Sequence, residues 1–161
     1  MTSLELQENY RILSPDQRQE LEAAYLNKTF VLGSGEKINF TKDDVMKIVL
    51  TYHRMIDFTK EIYHNQILKS PRKIDFEVSI DETSIPTSPQ AHYFVAAELI
   101  RLGVDFVSLA PRFIGEFQKG IDYKGDLREF EEDFIFHAAI ADHFGIGNHL
   151  KSLGVKAQQG I

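Results

Sequence analysis

Apolar residues recur at helical spacing in some stretches of this chain and alternate with polar ones in others, and the order of these patterns predicts its elements. Ser14, Pro15 and Asp16 open a helix to about Leu26, with a side-chain cap, a proline where no amide partner is needed and a carboxylate near the positive end. Residues Thr29 to Phe40 read as a hairpin: TFVL and KINF flank Gly33-Ser34-Gly35. Thr41 and Asp44 then suit a capping box, and Val45, Ile48, Val49, Tyr52, Ile56, Ile62 and Tyr63 keep one face of a long helix over 42–68.

The pattern switches to period two after Pro71. Ile74, Phe76, Val78 and Ile80 alternate with Asp75, Glu77 and Ser79, which predicts a strand running straight into Asp81-Glu82-Thr83. Ser88 and Pro89 start a further helix that Gly103 ends, and Val104 to Leu109 is expected to form the next strand. After a long loop from Ala110, Asp126 caps a helix with Glu129 three residues on and Phe130, Phe134, Ala138 and Ala141 as its apolar stripe. Gly145 stops it. Strand, loop, helix, strand, loop, helix implies a parallel sheet, so the fold class is α/β: part of a (β/α) barrel-like unit preceded by helices and a short hairpin. The expected boundaries are one domain over 1–145 and a divergent tail over 146–161 without a strand signal. A closed eightfold barrel needs on the order of 250 residues, so this chain could supply only part of one.

Composition narrows the function. With 161 residues, 43% of them apolar, one core is expected. The 24 acidic against 18 basic residues give a net charge of -6, the wrong sign for a general phosphate-backbone binder, so nucleic acid is not an expected partner. No run reaches the roughly 20 apolar residues of a membrane span, and the start, MTSLELQENYRIL, lacks the regions of a signal peptide, which makes the cytoplasm the expected location. The absence of cysteine leaves carboxylate, imidazole and carbonyl groups as the only metal donors. No phosphate-cradling glycine motif and no G-x-S-x-G elbow occurs.

In parallel sheets, sites form where strands end, and two polar loops lie there: 81–90 and 110–126. Asp81 and Glu82 leave the first strand where a carboxylate can bind a hard cation or move a proton, or else cap the turn. The second loop, APRFIGEFQKGIDYKGD, carries Arg112, Glu116, Lys119, Asp122 and Lys124. Arg112 could grip a carboxylate through two parallel bonds, and Lys119 offers a point charge or a proton-transfer group; the alternative is an internally salt-bridged lid. His92 falls in the first turn of the helix after the first loop, close to the active edge, where a site role is open to it but a solvated or capping histidine is the expected reading; His137 is expected as a packed residue, and His53, His64 and His149 at the surface. The acidic cluster Glu129, Glu131, Glu132 and Asp133 reads as a solvated helix start.

The segments FEVSIDET (76–83), PTSPQAH (86–92), SLAPRFIGEFQKGIDYKGDL (108–127) and HAAIADHFG (137–145) resemble those of the tagaturonate epimerase family. The resemblance runs from about Tyr25 to Gly145. It implies a metal-dependent enzyme of hexuronate breakdown that interconverts tagaturonate and fructuronate on a barrel-like scaffold, with a sugar acid as substrate and a divalent ion as cofactor. In that light Asp81 is the candidate metal ligand, Glu82 and Lys119 are the catalytic candidates, and Arg112 and Glu116 are the substrate-binding ones. Family members are longer, and IGNHLKSLGVKAQQGI departs from their pattern. The chain is therefore expected to be an internal or truncated piece, inactive alone and prone to self-association at an open sheet edge. A non-catalytic remnant or a sugar-acid binding module is the competing reading.

Overall fold

The computed structural model describes residues 3–115 and 125–147. Among them, helix α1 (Ser3–Tyr10) and helix α2 (Pro15–Tyr25) lead into an antiparallel hairpin of β1 (Thr29–Val31) and β2 (Lys37–Asn39). Helix α3 (Lys42–Ile62) continues into one π-helical turn, Tyr63–Ile67. Strand β3 (Glu77–Ile80), α4 (Pro89–Arg101), β4 (Ser108–Pro111) and α5 (Leu127–His143) follow. β3 and β4 pair in parallel, with Glu77 opposite Ser108 and Ile80 opposite Pro111.

The caps act as the spacing implies. Ser14 and Thr41 each complete a capping box, with Gln17 and Asp44 returning the bond, while Ser88 accepts from Ala91 N and Asp126 from Arg128 N and Glu129 N. Each such cap is worth about 1 kcal/mol. Gly103 closes α4 at φ +75, where a side chain would be strained.

The core lies between α3, α4 and the parallel strands. Val45, Val49, Phe94, Val95, Ala96, Leu99 and Leu109 are almost wholly buried, and at roughly 25 cal/mol per Å² such burial dominates the stabilisation. A second, aromatic layer joins the hairpin to α4: Tyr25 lies 4.7 Å from Phe94 and 5.1 Å from Phe40, and Phe30 lies 4.8 Å from Tyr93.

Several expectations shift. The strand expected over Val104 to Leu109 lies four residues later at its start, because Val104 N bonds back to Leu99 O and Val104 and Phe106 are buried in the connection. Residues 74–76 lie outside β3, and Ile74 is exposed. Helix α1 lacks a strong sequence signal; it exists because Leu6 and Tyr10 bury against the core and α1 packs on α3. On α5 the fully buried face is His137, Ile140 and Ala141, whereas Phe130 and Phe134 are half-buried.

Beyond 145, Gly147 takes part in the sheet. Gly147 forms a parallel bridge to Ser108, donating to Val107 O at 2.7 Å and accepting from Leu109 N at 3.4 Å. A Cβ at this glycine would come 3.0 Å from Val107 O, so the close approach suits a residue without a side chain. The described sheet is thus open, with β4 between β3 and Gly147.

Candidate functional site

Because adjacent parallel strands deliver their following loops side by side, the pairing of Ile80 with Pro111 sets Asp81 and Arg112 at neighbouring exits. The proline ends the ladder without loss, since it occupies the last pair of the strand. Asp81 and Glu82 are both exposed, and the Asp81 carboxylate accepts from the Ser79 hydroxyl.

Arg112 binds the two loops together. Its N–H donates to Thr87 Oγ1 at 2.9 Å, its carbonyl accepts from Thr87 N at 2.8 Å, and its Nη1 donates to the carbonyl of Thr83. Thr87 is buried and polar, and this exchange satisfies its hydroxyl. Among the described residues no group bonds Nε or Nη2 of Arg112, so those donors remain for an anionic group. Arg112 thus joins the two loops through bonds to uncharged groups of the first loop, not through a salt bridge within its own. Glu116, Lys119, Asp122 and Lys124 lie outside the described residues.

Beyond Arg112, Phe113 packs against α5, with its ring centre 5.8 Å from Phe134, 6.0 Å from Phe130 and 5.4 Å from His137. Ile114 N donates to Asp133 Oδ2 at 3.3 Å. Asp133 is therefore turned inward, unlike the exposed Glu129, Glu131 and Glu132, and the solvated reading holds only for those three.

His92 corrects a second expectation. It is fully buried rather than solvated, with its Nδ1 2.8 Å from Nδ1 of His137, which is buried as expected. Burial, with the second imidazole beside it, holds His92 well below the ordinary histidine pKa. His53 and His64 are half-buried, not surface residues: His53 Nδ1 lies 2.8 Å from Val49 O and His64 Nε2 3.0 Å from Leu102 O. His149 lies outside the described residues. The His92–His137 contact spans 45 positions and leaves no local pattern. A carboxylate one turn before a histidine on an apolar stripe, Asp133 before His137, is the signal that could have pointed to it.

Among the described residues no group of three or more histidine, aspartate or glutamate side chains could hold a metal ion. Asp81 and Glu82 thus do not fit a divalent ion on their own. A cavity of about 190 Å³ lies at the other end of α4, lined by Val49, His53, Phe94, Glu98 and Arg101 among others, away from the strand exits. No helix among the described residues is long and apolar enough to cross a membrane.

A family model described as tagaturonate epimerase matches residues 1–152. The curated tagaturonate/fructuronate epimerase of Thermotoga maritima is 44% identical over 127 residues, which cover 79% of this chain and 26% of that protein. Crystal structures of the fructuronate-tagaturonate epimerase of Cohnella laeviribosi, native and with one glycerol bound, are each 47% identical with a TM-score of 0.87, covering 92% of this chain and 30% of theirs. The chain therefore spans less than a third of the length of these relatives. At that identity the matched fold is shared as well as the sequence, and the chain belongs to the tagaturonate epimerase family.

Proposed function

We propose that this chain is the part of a tagaturonate/fructuronate epimerase that supplies two adjacent strand-end loops to the active site. The observation that supports this reading is the coincidence of family membership over residues 1–152 with two polar loops held side by side through Arg112 and Thr87. In the full-length protein, β3 and β4 are neighbouring staves of a barrel-like parallel sheet whose other strands complete the cleft.

The substrate restricts the chemistry. The inverted carbon lies β to the ketone, so removing its hydrogen gives no ketone-stabilised enolate, and retro-aldol cleavage is the route we favour. Glu82 takes the proton of the hydroxyl on the inverted carbon, and the bond from that carbon to its neighbour beside the ketone breaks. This leaves an aldehyde and an enolate. The aldehyde rotates, the enolate carbon attacks its other face, and Glu82 returns the proton to the new alkoxide. Lys119 offers positive charge to the enolate, Arg112 holds the substrate carboxylate, and Glu116, four residues on, accepts hydrogen bonds from the substrate's hydroxyls. Were a divalent ion bound at this edge, Asp81 would supply one carboxylate and the ion would polarise the ketone, with its remaining donors needed from beyond the described residues.

The test uses the full-length protein that contains this segment, incubated with tagaturonate in heavy water and analysed by chromatography and proton NMR. Fructuronate is expected with its original hydrogen on the inverted carbon, and deuterium there would exclude the retro-aldol route. Conversion by the 161-residue chain alone would overturn the view that other strands complete the cleft.

A further inference from the structure

Two imidazoles from different helices meet in the interior. His92 in the first turn of α4 and His137 midway along α5 are both 0% exposed, with ring centres 5.0 Å apart and Nδ1 atoms 2.8 Å apart. At that separation one Nδ1 carries the hydrogen and the other presents its lone pair.

Asp133 decides which is which. Its Oδ1 lies 3.4 Å from His137 Nε2, close enough for charge attraction though not aligned as a hydrogen bond. A bare nitrogen lone pair facing a carboxylate would be repelled, so the hydrogen of neutral His137 sits on Nε2. The Nδ1 of His137 is then the acceptor and His92 Nδ1–H the donor. His92 Nε2 is left bare, buried and without a partner among the described residues. The other oxygen of Asp133 holds Ile114 N in the second loop, and Phe113 lies edge-on to the His137 ring at 89°.

We propose that Asp133, His137 and His92 form a relay of fixed polarity that positions the second strand-end loop against the helix following the first. It runs from the backbone N–H of Ile114 through the carboxylate and both imidazoles to the start of α4. The bond from Ile114 N admits one orientation because the carboxylate can only accept, and the charge of Asp133 facing His137 Nε2 fixes which imidazole donates at the Nδ1–Nδ1 contact. His92 and His137 are thus positioning residues. Their bearing on turnover rests on the proposed function, but the relay itself does not.

The test is nitrogen-15 NMR of the imidazoles in this chain at neutral pH, with His92→Gln and His137→Gln spectra to assign the signals. A single tautomer is expected at each ring, with the hydrogen on Nδ1 of His92 and on Nε2 of His137. The reverse tautomers, a freely averaging mixture, or a cationic ring would each overturn the proposal. In Asp133→Asn both rings should lose their single tautomer, and the Ile114 amide should exchange roughly tenfold faster, as loss of one hydrogen bond implies. Unchanged rings and an unchanged Ile114 amide would remove Asp133 from the relay. If that variant does not fold, the wild-type spectrum still decides the polarity. None of these readouts involves epimerisation, so they stand apart from a failure of the proposed function.

Discussion

At the C-terminal end of α4, Glu98 is 4% exposed and both of its oxygens are engaged: Tyr25 OH donates to one at 2.7 Å, and Arg101 Nη2 and Nε donate to the other at 2.6 and 3.0 Å. At the sheet edge beyond β3, Asp81 and Glu82 are exposed, and the contact of Asp81 is with the Ser79 hydroxyl two residues before it. The same functional group thus serves two ends of one α/β unit differently. Where the carboxylate is enclosed and saturated it joins α2 to α4; where it is open it retains lone pairs for a ligand. In parallel α/β folds this division has a general cause, since loops after strands are free to vary while the opposite face holds the layers together.

The largest effect that could break this comparison is expected from Glu98→Ala. It leaves the buried Tyr25 hydroxyl without its acceptor and opens a gap beside Phe94, so a loss of about 2–4 kcal/mol should appear as a lower denaturant midpoint. Much of it should come from Tyr25 and packing, because the Arg101 side chain is 55% exposed. A loss no greater than that of Asp81→Ala would mean that the two ends do not differ.

Alkaline titration gives the next test. Burial first, then the charge of Glu98 and its hydrogen bond, raises the Tyr25 pKa far above its ordinary 10.0. A group raised on folding contributes stability that is fully present below its unfolded value and lost as pH climbs from there toward the folded value. Stability should therefore fall above about pH 10 by up to about 1.4 kcal/mol per pH unit from this tyrosine, and Tyr25→Phe should flatten the slope. An unchanged slope in that variant would place the alkaline loss elsewhere.

The smallest effect is expected at the open end. Asp81→Ala and Glu82→Ala should leave the denaturant midpoint of the chain within experimental scatter, because neither carboxylate is enclosed. A midpoint shift comparable to that of Glu98→Ala would make these residues part of the framework.

Local chemistry was legible where it acts over one helical turn. The caps at Ser14, Thr41, Ser88 and Asp126 and the stop at Gly103 follow from side chains within three or four residues of the backbone groups they satisfy. The strand start expected at Val104 was misplaced, since apolar residues such as Val104 and Phe106 are buried equally well in a connection that fills the space under a helix. The shared position of the two strand-end loops followed from the order of elements, but the three bonds that join Arg112 to residues 83 and 87 did not. Nor did the enclosure of His92, which depends on a partner 45 residues away on a helix whose apolar stripe was read from its phenylalanines.

The bridge between Ser108 and Gly147 also bears on how such a molecule is made. β4 receives β3 on one side and Gly147 on the other, so each successive strand-helix unit adds to the edge its predecessor exposed. As a chain of this kind leaves the ribosome, no earlier pairing has to open to admit the next strand, and each segment synthesised has a template waiting for it. Such a sheet can therefore be laid down one stave at a time at its growing edge, while the outer edge of β3 waits for a partner from elsewhere.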